Sequence, residues 1–525
     1  MWQSIKKNYF QIVLFIIGII FILTRFYQLT YLPVFADEAI YIRWSQLIIN
    51  NPQDYLFFPM NDGKTPLHMW LMIPFLQIFS DPLWAGRTLS IVVGIIQIPI
   101  IMLLVKELGG KKNSQLLAAF LVLILPGWFF YQRLALIDGL MTLFLSINFL
   151  FTLKSLRVVS KKLGSKLDFT KLKFVLNRYT LLAGLFFGLA FWTKFAALLF
   201  APVLIVCALF VLKKIEFSKK NFIAVVNALM AITIIGFIGG GIFALLRFSP
   251  IFPQIFSRGG DFLWSLDEYF ANQIHIIVWD NFLDFIRFLA QNFDWLLMAF
   301  TIIASIFMVK KNHKPALLLL LALVFLLPMM VLGKVVWPRY LHPAMIFLTV
   351  GAVIAMQDLW EKKKKLCQSL IVGILVFTTI QSAYFMFTSY HHLGKMPLVA
   401  EDKVQYLEGW ASGFGIPEAT IYIRQQSQTH KILVLTEGFF GTLPDGILMY
   451  FFNEDVTNIS IEGIGQPVRE IPESQLERFD DFEEVILLVN SYRMHMSLPT
   501  DQLIFEVFRP SPTENPISFQ VWRLK

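Results

Sequence analysis

The residues of this sequence that could do chemistry are acids and bases placed beside long apolar segments. Two adjacent acids, Asp37 and Glu38, follow the first apolar segment, and Asp62 and Lys64 come later in the same polar stretch. A carboxylate can take a proton from a hydroxyl, and ammonium or guanidinium groups neutralise phosphate oxygens. This mixture suits a phosphorylated, hydroxyl-rich substrate. The other candidates, each beside an apolar segment, are Arg133, Asp138, Lys194, Lys334 and Arg339.

The composition is that of a polytopic α-helical membrane protein. The 525 residues are 56% apolar and only 15% charged, which is too apolar for an ordinary soluble protein. The apolar residues form blocks of about 16–24 residues, the length that a helix needs to cross a hydrocarbon core of ~30 Å. Residues 1–389 carry a net charge of +18 and residues 390–525 one of −9. Because the positive charge lies in loops that flank the blocks, it orients helices, and we do not expect nucleic-acid binding.

The basic loops predict the topology, because cytoplasmic loops are enriched in Lys and Arg. An even number of crossings must separate one basic loop from the next. The segments 116–151, 181–212 and 316–359 therefore cross twice and turn outside, at 132–133, 194 and 334–339. Single crossings at about 9–29, 83–105, 222–246, 294–309 and 367–388 bring the count to about eleven. The basic loops are 6–7, 106–112, 154–178, 213–220, 310–314 and 361–365.

This topology places the N-terminus in the cytoplasm and gathers the candidate side chains at the external membrane surface. The external loops are 30–82 and 247–293. An ionised group inside a membrane costs roughly 2.5–3.5 kcal/mol, so such groups usually face a wet cavity or pair with one another. Each residue also has an interpretation without a chemical role. Asp37 and Glu38 could be solvated loop acids, Lys64 could extend to the lipid headgroups, and Arg133 with Asp138 could form a structural ion pair.

Two predicted domains follow, a membrane domain at 1–389 and an extracytoplasmic α/β domain at 390–525. Strand-like runs at 431–435, 484–489 and 519–524 alternate with helical stretches in the second. Residues 69–79 are apolar but too short to span, and are expected to lie in the interface as a helix. The first apolar segment is signal-like but is expected to remain uncleaved. Cys207 and Cys367 are expected to be packing residues.

Five short motifs occur in order, on the side of the membrane predicted to be external. Any one of them is weak, and their order and common side give them weight. They are Asp37-Glu38, Asp62-x-Lys64-x-Pro66-Leu67, Arg133 with Asp138 five residues later, Gly188-Leu-Ala-Phe-Trp-Thr193-Lys194, and Arg339-Tyr340-Leu-His-Pro343.

Through these motifs, residues 1–390 resemble the GT-C superfamily of membrane glycosyltransferases that use polyprenyl-phosphate sugars. The most similar members are the protein O-mannosyltransferases of glycosyltransferase family 39, the lipid A aminoarabinose transferase and the bacterial RgtA/B/C/D-like group. Thr65 replaces the first proline of the family's D-x-K-P-P-L, and Phe195 replaces a glycine of its G-L-A-x-x-T-K-G, which puts loop shape in doubt more than chemistry. Residues 408–415 are similar to external domains of some bacterial members, with an open role.

The resemblance implies an inverting transfer of a hexosyl or pentosyl group to a hydroxyl acceptor. Asp37 would be the general base, and Glu38 would position the acceptor or tune Asp37. No divalent metal is required by this chemistry, although His275 or His342 with an acid stays open as a ligand set. The donor-phosphate ligands implied are Lys64, Arg339, Lys194 and Arg133, with Asp62, Asp138 and Tyr340 supporting.

Other functions predict other patterns. A transporter predicts ionisable residues near helix centres, whereas these lie at one surface. An inert assembly protein gives no reason for Lys194 or for the acid pair. An oligosaccharide transferase, or a ligase of lipid-linked glycans, is the main alternative, and metal dependence would favour the transferase. We expect a multi-pass protein of a bacterial plasma membrane whose partners are a polyprenyl-phosphate sugar, a hydroxyl acceptor (protein, lipid or glycan) and the bilayer.

Overall fold

The structure is a computed structural model that describes residues 2–163, 173–212, 218–271, 274–452, 454, 457–510 and 517–525. It is mostly helical up to His391 and ends in a small mixed sheet. We label the first two helices α1 (Trp2–Phe26) and α2 (Ala36–Asn50). The other main helices are Leu67–Ile78, Pro82–Glu107, Lys112–Ile124, Pro126–Tyr131, Ile137–Lys162, Arg178–Thr193, Ala201–Cys207, Lys219–Ala244, Ile274–Phe293, Trp295–Met308, Lys314–Leu332, His342–Trp360, Lys365–His391 and Ile416–Gln426.

The helices confirm a polytopic membrane protein. Within the described residues, seven helices are long and apolar enough to cross a membrane, or up to eight if the bent pair Ile276–Phe293 and Trp295–Met308 forms one span. The predicted count of about eleven is larger because several predicted crossings fall on shorter helices. Pro126 starts a new helix after Lys112–Ile124, and an extended residue, Lys194, separates Arg178–Thr193 from the apolar segment that follows.

Breaks in the helices coincide with the three predicted external turns. One helix ends at Tyr131 and the next begins at Ile137, and the helix that ends at Leu332 is followed by a short 3₁₀ helix at Pro338–Leu341. Lys194 forms the third break. The predicted short helix after Lys64 is also present, as Leu67–Ile78, and its position in the membrane interface stays a prediction.

The C-terminal sheet has five strands in the order β2-β1-β3-β5-β4. Strands β2, β1 and β3 are parallel, while β5 is antiparallel to β3 and β4. The three predicted strands correspond to β1, β3 and β5. The two edge strands, β2 and β4, were not predicted, and both are only partly buried. The strands are β1 (Ile432–Thr436), β2 (Ile459–Gly463), β3 (Glu484–Asn490), β4 (Leu503–Phe508) and β5 (Ser518–Arg523).

The sheet domain shares a hydrophobic core with the helices that carry the candidate acids. Val434 and Ile486 of the sheet belong to the same buried cluster as Ala39 and Ile42 of α2. The Gln46 amide also donates to the Met449 carbonyl at 2.8 Å. Burial of shared apolar surface stabilises this arrangement, so α2 is packed between the helical part and the sheet.

Candidate active site

Asp37 lies in the first turn of α2 and forms an ion pair with Arg339. A carboxylate is favourable there because helix N-termini carry partial positive charge. The Arg339 Nη2 group donates to Asp37 Oδ2 at 2.9 Å, and the two side chains are 9% and 24% exposed, respectively. Arg339 is held by the short 3₁₀ helix at Pro338–Leu341. The carboxylate of Asp37 is therefore paired on one side and reachable from the other.

A second acid, Asp138, continues this pair into a chain of alternating charges. Lys194 Nζ donates to Asp138 Oδ1 at 2.7 Å, and Arg339 Nε lies 4.0 Å from Asp138 Oδ2. Lys194 Nζ also lies 4.4 Å from the centre of the Tyr340 ring. The partner of Asp138 is thus Lys194, a residue for which the sequence offered no nearby acid, and Arg133 is not part of the pair. The structure brings together side chains from four separate breaks or helix ends.

Lys64 adds a cation that pairs with no acid in the part of the chain that the structure describes. Its side chain is partly exposed, its Nζ lies 5.8 Å from the Phe262 ring, and it interacts electrostatically with Tyr340. Among the described residues, no carboxylate is within ion-pair distance of Lys64. Together with Asp37, Arg339, Asp138 and Lys194 it gives a group with one net positive charge, which favours an anionic ligand.

Asp62 faces away from this group. It accepts a hydrogen bond from Arg258, which also bonds Asp261. Gly63 separates Asp62 from Lys64 with a φ of 69°, in the left-handed region that glycine adopts without strain. This turn sends the two side chains to different partners. In the structure, the contact of Asp62 is with Arg258, and the supporting role predicted for Asp62 in the site stays a prediction.

Glu38 is fully buried and its carboxylate is saturated. Arg87 donates from Nε to Oε1 at 2.9 Å and from Nη2 to Oε2 at 2.7 Å. The backbone N–H groups of Phe35 and Ala135 donate to the same carboxylate at 3.0 Å and 2.7 Å. Successive residues of an α-helix point about 100° apart, so Glu38 cannot face the side on which Asp37 lies. The predicted contact of Glu38 with the acceptor is not supported by this geometry, and Glu38 positions the start of α2.

The side chain of Arg133 bonds the backbone at the end of α1. Its Nη1 donates to the carbonyls of Thr24 and Tyr27, both at 2.9 Å, and its Nη2 donates to the Gln28 carbonyl at 2.8 Å. The last carbonyls of a helix have no partner within the helix, and a cation there is favourable. The guanidinium of Arg133 therefore caps the end of α1. Its contacts do not support the predicted role in binding donor phosphate.

A segment of the C-terminal region completes the group. Residues 400–412, which we call the strap, join the membrane helices to the sheet domain. The Gln405 side-chain oxygen accepts a hydrogen bond from Arg339 Nη1 at 2.7 Å. Burial raises the pKa of Asp402 in the same segment to about 7, and its carboxylate accepts from the Tyr131 hydroxyl at 3.0 Å. Sequence reasoning missed Gln405 because a neutral residue 66 positions from its partner gives no pattern, and only the nearby 408–415 motif pointed to this segment.

Potential metal ligands do not cluster within the part of the chain that the structure describes. No group of three or more His, Cys, Asp or Glu side chains converges there. The His342 ring packs between Trp128 and Tyr131, at centroid distances of 4.7 Å and 5.7 Å. The side chain of His275 lies outside the described residues. Cys207 is buried and Cys367 partly buried, and neither forms a disulfide.

Comparison with known proteins gives one family match and several structural matches. Residues 63–238 match the family described as dolichyl-phosphate-mannose-protein mannosyltransferase. No curated protein sequence matches the chain. Among solved structures, ArnT from Cupriavidus metallidurans in the apo state is similar with a TM-score of 0.57 and 14% identity, covering 98% of both chains.

Two further structures have the same fold. ArnT from Cupriavidus metallidurans bound to undecaprenyl phosphate matches with a TM-score of 0.55 and 14% identity, over 96% of this chain and 97% of that one. The oligosaccharyltransferase of Archaeoglobus fulgidus, tethered with an acceptor peptide, matches with a TM-score of 0.52 and 13% identity, over 93% of this chain and 70% of that one. The chain therefore has the fold of these proteins, and its residues 63–238 match the dolichyl-phosphate-mannose-protein mannosyltransferase family.

Proposed function

We propose that this protein is an inverting glycosyltransferase that moves a sugar from a polyprenyl-phosphate donor to a hydroxyl acceptor on the extracytoplasmic face. The observation that carries the proposal is the arrangement around Asp37. This carboxylate is partly exposed and borders a group of three cations, of which Lys64 has no acidic partner among the described residues. A base next to excess positive charge suits a reaction in which a hydroxyl loses a proton and a phosphate leaves.

Asp37 acts as the general base in this proposal. The free side of its carboxylate accepts the proton of the acceptor hydroxyl as the oxygen attacks the anomeric carbon. A new C–O bond forms on the face opposite the phosphate, and the anomeric C–O bond to phosphate breaks with its electron pair moving to the phosphate. The configuration is inverted because the attack and the departure occur on opposite faces. Positioned general bases typically contribute about 10²–10⁴-fold to a rate.

Lys64, Arg339 and Lys194 stabilise the leaving group. The departing phosphate monoester gains negative charge, so it needs no carboxylic acid to protonate it, in contrast to the leaving group of a glycosidase. Cations aimed at the place where charge develops lower the barrier. Lys64 provides the first contact because no carboxylate of the described residues engages it. Arg339 and Lys194 retain donors beyond those that bond Asp37 and Asp138. Tyr340 packs beside Lys194 and limits its position.

The donor class is proposed from the relatives. The matched family is described as using dolichyl-phosphate mannose, and one of the similar structures holds undecaprenyl phosphate. The acceptor is a hydroxyl of a protein, a lipid or a glycan, and the site and the sheet domain lie outside a bacterial plasma membrane. In this proposal the transfer proceeds without a divalent metal, since cationic side chains take the place that a metal would fill beside the phosphate.

An oligosaccharide transferase is the second candidate, because the chain also has the fold of the Archaeoglobus fulgidus enzyme over 93% of its length. The two candidates differ in the donor that they use and in their need for a metal. Purified protein in nanodiscs, supplied with a cell-envelope extract as the source of acceptor hydroxyls, should release undecaprenyl phosphate from at least one of a panel of undecaprenyl-phosphate monosaccharides, with EDTA present. Release only from lipid-linked oligosaccharides, and only with added divalent metal, would favour the second candidate.

Glycolipid and glycan mass spectrometry identifies the natural product. A strain that lacks the gene should lose one monosaccharide from a surface lipid, glycan or protein, and plasmid-borne wild-type chain should restore it. Unchanged profiles, together with no release from any monosaccharide donor, would contradict the proposal.

A further inference from the structure

The strap contacts the membrane helices and the sheet domain at once. On the membrane side, the Ala36 N–H donates to the Ala411 carbonyl at 2.9 Å, directly before Asp37. Phe35 and Ser412 form an isolated β-bridge. On the sheet side, Arg509 Nη1 donates to the Ser412 carbonyl at 3.0 Å. The strap is therefore fixed at both edges, and its side chains have defined positions against the candidate site.

Gln405 hydrogen-bonds the charged group from the strap, and Asp402 and Tyr406 of the strap also interact electrostatically with Arg339. The Gln405 oxygen accepts from Arg339 Nη1, while Arg339 Nη2 bonds Asp37. Only 5% of Gln405 is exposed, so water does not compete for this hydrogen bond. An amide oxygen fixes the guanidinium plane without cancelling its charge. A glutamate in the same place would fix it equally well but would neutralise it.

Two acids precede Gln405 in the strap. Asp402 is buried, and burial raises the pKa of its carboxyl to about 7, against the opposing effects of hydrogen bonds from Gln291 and Tyr131 and of the charge on Arg339. Glu401 pairs with Arg287 at 3.1 Å. Neither carboxylate forms an ion pair with Arg339 among the described contacts, whereas a glutamate at position 405 would place a full negative charge in direct contact with it.

We propose that Gln405 is a positioning residue for the donor phosphate: it orients Arg339 through a neutral hydrogen bond and thereby preserves the positive charge that binds the phosphate. This inference rests on the proposed function, since it assigns Arg339 to a phosphate ligand. It also gives the C-terminal region a part in the site, through a residue that contacts neither the reacting hydroxyl nor the anomeric carbon.

The test is the affinity of the full chain in nanodiscs for undecaprenyl phosphate, with undecaprenol, which lacks the phosphate, as the ligand control. Gln405→Glu keeps the hydrogen bond and adds a charge, whereas Gln405→Met loses the hydrogen bond and stays neutral. We expect Gln405→Glu to bind undecaprenyl phosphate about tenfold or more weakly than wild type, the effect of weakening one charged hydrogen bond. The affinity of Gln405→Met for undecaprenyl phosphate should lie between those of Gln405→Glu and wild type. Gln425→Glu, which adds the same charge on the exposed face of helix Ile416–Gln426, should bind like wild type.

A purely structural role predicts the opposite order, because the glutamate retains the bond to Arg339. Equal or stronger binding by Gln405→Glu than by Gln405→Met would overturn the inference. If Gln405→Glu does not fold, Gln405→Met decides alone, since unchanged affinity for undecaprenyl phosphate would also overturn it. Wild-type chain that binds undecaprenol and undecaprenyl phosphate equally would instead contradict the proposed function, before any variant is considered.

Discussion

Two adjacent acids, Asp37 and Glu38, belong to networks of opposite character. The network around Glu38 is buried and saturated: Arg87 and two backbone N–H groups engage both carboxylate oxygens. The network around Asp37 is partly exposed, and with Lys64 it contains three cations against the two acids Asp37 and Asp138. The fully bonded carboxylate of Glu38 holds the backbone in place. The charged groups around Asp37 are not all paired, so they can still bind a ligand.

The comparison teaches that a charged side chain at this end of the helices is not by itself evidence of chemistry. Arg87 and Arg133 lie at the same end of the helices as Arg339, yet they donate mainly to carbonyls at the end of α1 and in the following loop. Such contacts hold the loop that leads to Asp37. In the proposed mechanism, the residues that take part in the reaction are those whose donors or acceptors remain in excess after the backbone has been satisfied.

The variant Asp37→Asn should have the largest effect and tests whether the Asp37 network is the one that takes part in the reaction. We expect transfer to fall by about 10²–10⁴-fold, because the amide cannot accept the hydroxyl proton. The amount of folded protein in membranes should not change, since the side chain keeps its shape and is partly exposed. The measurement is release of undecaprenyl phosphate from a monosaccharide donor, with thermal unfolding of the purified variant as the control. Wild-type turnover in this variant would remove Asp37 from the role of base.

Glu38→Ala should act on stability. Removal of one partner from a buried ion pair costs about 3–5 kcal/mol, because Arg87 is left as an uncompensated charge. Thermal unfolding in detergent and the yield of folded protein measure the loss. Glu454→Ala breaks an exposed pair with Arg424 and is the matched control, with an expected cost of about 0–1 kcal/mol. A Glu38→Ala protein that is stable but inactive would place Glu38 with Asp37 in the chemistry.

Lys64→Ala should weaken use of the donor more than use of the acceptor. The loss of one hydrogen bond to a charged group corresponds to about a ten- to hundredfold rise in donor KM. Steady-state kinetics with donor and acceptor varied in turn measure this difference. Lys334→Ala is the matched control, because Lys334 lies at another of the predicted external turns and is already bonded to Glu268. Equal effects of Lys64→Ala on both substrates would indicate general damage to the site.

A further prediction is a pH dependence of stability that arises from Asp402. Burial raises the pKa of this carboxyl to about 7 in the folded chain, above an unfolded value of about 3.9. The folded state therefore binds more protons than the unfolded state between these values, and this contribution to stability is lost as the pH rises from about 4 to about 7. Asp402→Asn should remove that part of the slope. Identical pH dependence of the thermal unfolding midpoint in both proteins would contradict the assignment.

Hydropathy and charge were sufficient to predict the helical membrane fold, three of the five strands and the meeting of Asp37, Asp138, Lys194 and Arg339. These features depend on patterns along the chain, such as apolar length and the side on which a charged turn falls. The different fates of Asp37 and Glu38 depend on which face of α2 is buried. That could not be inferred, because the partner of Glu38 is Arg87, which lies inside an apolar helix. No sequence pattern pointed to Gln405 or to Arg258.

The strap has a consequence for how the protein is made. Residues 35 and 36 pair with residues 411 and 412, and Arg339 bonds Gln405, so the site joins residues that follow the first apolar helix to residues that follow the last long apolar helix. During synthesis, Asp37 and the cations are therefore made before the strap that contacts them. A nascent chain that stalls before residue 400 lacks the contacts that hold the backbone next to Asp37, and the complete site forms only when synthesis of the C-terminal region is almost finished.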